Sequence, residues 1–101
     1  MKPLTSKQRA HLRALANGLE TILYVGKEGL SDNLNKQTND ALTARECVKG
    51  CVLETAPLNA REAGQALAQA VSAQVVQVIG RRFVLYRENA ALPADKRLQL
   101  P

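Results

Sequence analysis

The run Leu23-Tyr24-Val25-Gly26-Lys27-Glu28-Gly29-Leu30-Ser31 constrains this chain most. An apolar stretch breaks there into a glycine, two charges and a second glycine, and Ser31 stands where a helix N-cap belongs. Residues 20–25 are rich in β-branched and aromatic side chains and too short for a stable helix, so the run predicts a strand, a tight turn and the first turn of a helix. Strands that alternate with helices need crossover connections, which are right-handed as a rule. A mixed sheet with helices on one or both faces follows.

The flanking sequence extends the pattern. Thr5 and Gln8 form the two halves of a capping box, predicting a helix over about residues 6–17 with Leu12, Leu15, Ala16 and Leu19 on its apolar face. Arg9 and Arg13 lie on a flank of that face, Lys7 lies further round, and Asn17-Gly18 supplies a left-handed stop. From Ser31 a second helix runs to about Arg45, with Leu30, Leu34, Thr38, Ala41, Leu42 and Arg45 on a weakly apolar stripe. Such a helix packs on one side only. Glu46 to Glu54 read as a strand with Val48, Gly50 and Val52 on one face and Cys47, Lys49, Cys51 and Leu53 on the other. Gly50 in mid-strand marks a bulge or a close backbone approach. Asn59 caps a third helix to about Ser72, whose stripe of Ala60, Ala63, Gly64, Leu67, Ala70 and Val71 permits close contact with a sheet. Gln74 to Ile79 and Phe83 to Arg87 are strands joined at Gly80-Arg81-Arg82, a hairpin with two arginines at or beside its tip. After Glu88 the chain turns polar, contains Pro93 and has no usable period. The expected fold is a single α/β domain in the order α-β-α-β-α-β-β, with a core over about residues 4–88 and a loosely attached basic tail over 89–101.

Composition bounds the function. A chain of 101 residues buries roughly two-thirds of its unfolded surface without disulfides or metals. Its net charge of +5 favours a polyanionic partner. Lys2, Lys7, Arg9 and Arg13 precede any acid, and Arg81, Arg82, Arg87, Lys96 and Arg97 dominate the end of the chain. The aromatics are Tyr24, Phe83 and Tyr86 alone, too few for a sheet that stacks several bases in the manner of an RRM. The N-terminus has no apolar segment of a signal peptide, and no run approaches the roughly 18 apolar residues of a membrane span. A soluble, cytoplasmic protein with no membrane contact is expected. Cys47 and Cys51 would sit about 13 Å apart on one strand, too far to bridge each other, and are expected as free thiols.

Two glycines spaced G-x-x-G can take positive φ and leave no side chain between the backbone and a ligand. The following helix adds free N–H groups and partial positive charge at the same spot, and Lys27 adds a full charge. A KH-type loop holds a nucleic-acid backbone by this physics. The nucleotide-triphosphate loop is excluded because Lys27 is followed by Glu28 and not by Ser or Thr, and the Rossmann fingerprint lacks its third glycine. One histidine, His11, two cysteines on one strand face and scattered acids spell out no nucleophile with a base and no metal cluster. No enzyme activity, cofactor, metal or small-molecule substrate is therefore expected. The candidate RNA-binding residues are Gly26, Lys27, Glu28 and Gly29 of the loop, Lys7, Arg9 and Arg13 of the first helix, and Arg81 and Arg82 of the hairpin. For the helix bases a plain solvated face is the alternative, and for the hairpin arginines, charges that keep a turn soluble. If they form one surface, Lys7, Arg9, Arg13, Lys27 and Arg82 share a face.

Leu4-Thr5-Ser6-Lys7-Gln8-Arg9-Ala10-His11-Leu12-Arg13, Val25-Gly26-Lys27-Glu28-Gly29-Leu30-Ser31, Glu46-Cys47-Val48-Lys49 and Val76 to Arg87 follow one another in order. In this combination the chain resembles the YhbY-type, single-domain branch of the CRM family, the chloroplast RNA splicing and ribosome maturation domain. The resemblance implies a four-stranded mixed sheet packed with helices, similar to the C-terminal domain of translation initiation factor three. It also implies RNA binding and, for stand-alone bacterial members, association with ribosomal RNA in precursors of the large ribosomal subunit. A monomer is expected. Carried over by position, the glycine loop falls on Gly26 to Gly29, the basic helix on Lys7, Arg9 and Arg13, and the closing hairpin on Gly80 to Arg87. Gly50 departs from the pattern, since similar proteins usually have an apolar residue there. A protein-interaction module that docks on ribosomal proteins without touching RNA is the competing expectation.

Overall fold

Each helix begins where a side chain takes up a free backbone N–H. In the computed structural model, which describes residues 3–101 and so leaves Lys2 outside the described residues, α1 spans Ser6–Ala16 behind the expected capping box. Gln8 N donates to Thr5 Oγ1 and Thr5 N to Gln8 Oε1, each at 3.1 Å. α2 (Asp32–Arg45) starts at Ser31, whose Oγ accepts from Leu34 N at 3.1 Å. α3 (Ala60–Val71) starts at a second box, Asn59 with Glu62. Caps of this kind stabilise a helix by about 1 kcal/mol. The end of α1 differs from expectation. Asn17 stays right-handed at φ −60° and neither it nor Gly18 is left-handed. Lys49 closes the helix instead, its Nζ donating to Ala16 O at 3.0 Å and Leu19 O at 3.4 Å, a cation on the negative end of the helix dipole.

The strands are β1 (Thr21–Val25), β2 (Cys47–Val52), β3 (Gln74–Ile79) and β4 (Arg82–Tyr86), in the order β1-β2-β4-β3. β1 and β2 are parallel, and β4 is antiparallel to both of its neighbours. Alternation along β4 divides the core. Phe83 and Leu85 face α2 and α3 together with Leu23, Val25, Val48, Val52, Leu34, Leu42 and Leu67. Val84 and Tyr86 face α1 with Cys47, Val76, Leu12 and Ala16. Of the residues on the helix stripes, Leu15, 36% exposed, and Arg45 and Ala70, both at the surface, contribute nothing to these clusters.

Gly50 leaves the pairing of β2 with β4 intact. The β2–β4 register runs unbroken from Cys47 opposite Tyr86 to Cys51 opposite Arg82. Irregularities fall at Ile22 of β1, opposite the Lys49–Gly50 step of β2, and at Val76 of β3, where one residue has no partner in the register. Gly50 marks a close approach: it lies opposite Phe83, and a Cβ there would collide with the Phe83 ring. Behind the ring, a Cβ on Gly64 of α3 would come within 3.3 Å of Phe83 Cβ.

The tail differs most from expectation, because it is tied down. Glu46, fully buried, sits just after α2 in the left-handed region at φ 62°. Its carboxylate accepts from Asn89 N and Leu98 N, both at 2.7 Å, and lies 4.0 Å from Arg97 Nε. Leu98 and Leu100 pack on the α1 side of the core, and Gln8 Nε2 donates to Pro101 O at 3.2 Å. Arg87, expected at the end of the last strand, follows it and donates to Asn39, Thr43 and Val71 O.

Two outcomes check this packing. Gly50→Ala should destabilise the fold by roughly 1–3 kcal/mol through overpacking, and Phe83→Leu in the same chain should recover part of that loss, a coupling read from a double-mutant cycle in urea. Glu46→Ala should cost about 2–4 kcal/mol, since it removes two charge-assisted hydrogen bonds, and should speed tryptic cleavage at Lys96 and Arg97. Unchanged cleavage would mean that Glu46 does not hold the tail.

Candidate nucleic-acid interface

Topology gathers three connections at one end of the sheet. The parallel pair β1 and β2 ends at Val25 opposite Val52, and the antiparallel pair β3 and β4 turns at Ile79 opposite Arg82. Residues 26–31, 53–59 and 80–81 therefore lie side by side. Backbone bonds extend the sheet into them: Leu53 N donates to Val25 O at 2.8 Å and Val52 N to Arg81 O at 2.7 Å.

The glycine turn closes through Gly29 N, which donates to Gly26 O at 2.9 Å. Only Gly29 uses its conformational freedom, at φ 68°, and a Cβ there would press on Pro57 Cγ at 3.2 Å. Gly26 is not left-handed, and a Cβ on it would meet only Leu53 Cδ1 at an ordinary 3.8 Å. The fold thus requires glycine at 29 and tolerates a methyl at 26. Beside the turn is a cleft of about 340 Å³ lined by Tyr24, Gly26 to Gly29, Ser31, Asn33, Leu34 and Gln37.

Charge at this cleft is local. Lys27 and Glu28 are both exposed, and Asp32 stands in the first turn of α2. Their formal charges sum to no net positive. The attraction for an anion rests on the free N–H groups and positive end of α2 together with Lys27. The larger share of fixed positive charge lies on the hairpin. Gly80 takes φ 57° in the turn, and Arg81 and Arg82 are exposed beside it. Arg82 and Lys49 line a second cleft of about 190 Å³ with Ala16, Asn17, Gln77, Ile79 and Val84.

The bases of α1 do not join into the expected single face. Arg9 is committed to the fold: its Nη1 donates to Val75 O at 2.7 Å and Val76 O at 3.0 Å, the carbonyls at the irregularity of β3. Lys7 is exposed at the start of α1, where the neighbours are the start of β3 and the end of the chain. That is the far end of the sheet, about 14 Å along the helix from Ala16. Arg13, exposed in the last turn, is on the half of α1 that approaches the loop end. Lys27, Arg81 and Arg82 thus share one end of the molecule, with Arg13 toward it and without Lys7 or Arg9.

Sequence reasoning passed over Tyr24, Asn33 and Gln37 of the loop cleft and Lys49 of the second one. Tyr24 flanks the glycines, and an aromatic there was a usable signal. Asn33 and Gln37 lie four apart, one turn, on α2, whose apolar stripe drew attention to the other side. Among the described residues no group of three or more His, Cys, Asp or Glu could hold a metal ion, and no helix is long and apolar enough to cross a membrane. Burial pushes the Cys47 thiol up to about 11, so it stays protonated at neutral pH and is a poor nucleophile.

Comparison with known proteins adds to this geometry. Residues 4–87 match the family described as the CRS1 / YhbY (CRM) domain. The chain is 40% identical over 98 residues to the Bacillus subtilis (strain 168) protein named "Probable RNA-binding protein YqeI", an alignment covering 97% of this chain and 99% of that one. It is 30% identical over 105 residues to a Haemophilus influenzae protein named "RNA-binding protein", covering 100% of this chain and 98% of the relative. The solution structure of SAV1595 from Staphylococcus aureus superimposes with a TM-score of 0.78 at 37% identity, covering 98% of this chain and 100% of that one.

The two glycines should respond differently to the same change. Gly29→Ala should cost about 1–2 kcal/mol, the penalty of a left-handed residue with a Cβ, with more from the contact on Pro57. Gly26→Ala should stay within about 0.5 kcal/mol of the parent. Thermal denaturation of both variants checks the contrast.

Proposed function

Since the chain belongs to the CRS1 / YhbY (CRM) domain family, we propose that it is an RNA-binding protein that acts in assembly of the large ribosomal subunit in the cytoplasm, through ribosomal RNA held at the loop end of its sheet. One observation carries this most directly: the glycine turn with its capped helix and the arginine hairpin meet at the same end of the sheet. Backbone N–H groups and Lys27 receive one phosphate, and Arg81 and Arg82 receive others, so the RNA backbone crosses the strand ends. Contacts of this kind position RNA without demanding a sequence. The names of the relatives support RNA as the partner. The ribosomal setting rests on the resemblance to stand-alone bacterial members of the family.

Salt dependence tests the contact. Arg13, Lys27, Arg81 and Arg82 correspond to about four phosphates, which gives log affinity against log salt a slope of roughly −3 for single-stranded RNA. Lys27→Ala or Arg81→Ala should reduce the slope by about 0.7, and Lys7→Ala should leave it unchanged. Gly26→Ala should weaken RNA binding without unfolding the chain. Binding with no salt dependence, or a Lys7→Ala effect as large as that of Lys27→Ala, would refute this surface. Crosslinking in cells, followed by sequencing of the bound fragments, checks the ribosomal assignment: fragments of large-subunit RNA are expected, and their absence would remove it.

A further inference from the structure

The loop cleft carries more apolar surface than a phosphate needs. Tyr24 is 55% exposed, while the other two aromatics, Phe83 and Tyr86, are 0% and 4% exposed. Its hydroxyl donates to Thr21 O at 3.1 Å, which satisfies the polar end of the ring on its own strand and holds the side chain in place. The ring lines the same cleft as Gly26 to Gly29. An aromatic surface held in this way loses little entropy when it is covered and releases water from its face.

The remaining lining favours a neutral polar group beside the ring. Asn33 and Gln37 are exposed on α2, and both line this cleft. Each side-chain amide offers a donor and an acceptor. Glu28, in the same lining, opposes a second phosphate. One anionic group at the turn, joined to a flat and uncharged group with hydrogen-bonding edges, matches all of these features.

We infer that the loop cleft binds a single unpaired nucleotide, with its phosphate at the glycine turn and its base stacked on Tyr24, so that the protein selects single-stranded over duplex RNA. This rests on the proposed RNA binding and adds the form of the RNA. A duplex keeps its bases stacked on one another, whereas bases in loops and single strands are free to stack on an aromatic side chain. Stacking is tolerant of sequence, since every base has a π-face. Asn33 and Gln37 supply what preference there is, at base edges.

The chain has two tyrosines and no tryptophan, so tyrosine emission reports on the site with Tyr86 as a buried background. Oligouridine of ten nucleotides, as a single strand and paired with oligoadenosine, serves as the probe for the full chain, with affinity read from the anisotropy of a label on the RNA. The single strand should quench tyrosine emission and bind more tightly than the duplex. Tyr24→Ala should lower single-strand affinity roughly 5- to 150-fold, the range of one base stack, with the salt slope unchanged because no phosphate contact is lost. Tyr24→Phe should keep most of the affinity, since the ring remains, and lose the quench. Equal affinity for the two RNA forms, or Tyr24→Ala binding like the parent while Lys27→Ala weakens binding, would overturn the stacked nucleotide and leave RNA binding standing. Failure of either RNA to bind would overturn both. Thermal denaturation of the variants separates loss of contact from loss of fold.

Discussion

The ring of Phe83 sets the spacing of this fold. It rests on the bare backbone of Gly50 on the neighbouring strand and against Gly64 on α3, and it is fully buried. With no Cβ on either glycine, ring, strand and helix occupy a volume that would otherwise hold two more side chains. Packing at this density tolerates little added volume. The small side chains of α3, Ala60, Ala63 and Ala68, let the helix lie close to the sheet around the same ring. That contact fixes how the chain leaves β2 and returns into β3.

From this spacing the loop end follows by topology. Because β1 and β2 run parallel, their C-terminal ends fall together, and the β3–β4 hairpin turns beside them. The connection before α3 supports the glycine turn directly, with Pro57 and Leu58 against Gly29. The far end is closed by different means. Glu46 accepts two backbone N–H groups from the tail, while Arg9 satisfies carbonyls of an edge strand and ties α1 to it. Glu46 and Arg9 at the far end hold the molecule together, while Lys27, Arg81 and Arg82 at the loop end are exposed.

Local rules explain which parts were legible in the sequence. Thr5 with Gln8, Ser31 and Asn59 announced the helix starts because a cap is made within three residues of itself. The strand runs and their order along the chain followed from period and turn chemistry. What escaped depends on partners far along the chain. Glu46 acts through residues 43 and 52 positions away, and Arg9 through residues 66 and 67 positions away. Sequence spacing on a helix placed Arg9 near Arg13, and only the packed sheet decides that Arg9 is taken and Arg13 is free. The Asn17-Gly18 stop fails for the same reason, since Lys49, from another element, closes the helix end.

The same distinction bears on how charge should be interpreted in a small basic protein. A net charge of +5 draws a polyanion to the whole molecule, but it does not say where the polyanion rests. Two of the three bases assigned to a surface on α1 lie apart from the loop end, Arg9 engaged in hydrogen bonds within the fold and Lys7 at a distance. At the glycine turn, Lys27 is offset by Glu28 and Asp32. Attraction there is therefore short-ranged and geometric, set by backbone N–H groups that act only on an anion already in the cleft. The exposed arginines of the hairpin act over a Debye length of about 8 Å at physiological salt. On the proposed surface, capture falls to the hairpin and discrimination to the turn, and an RNA that satisfied the hairpin alone would gain affinity without being recognised.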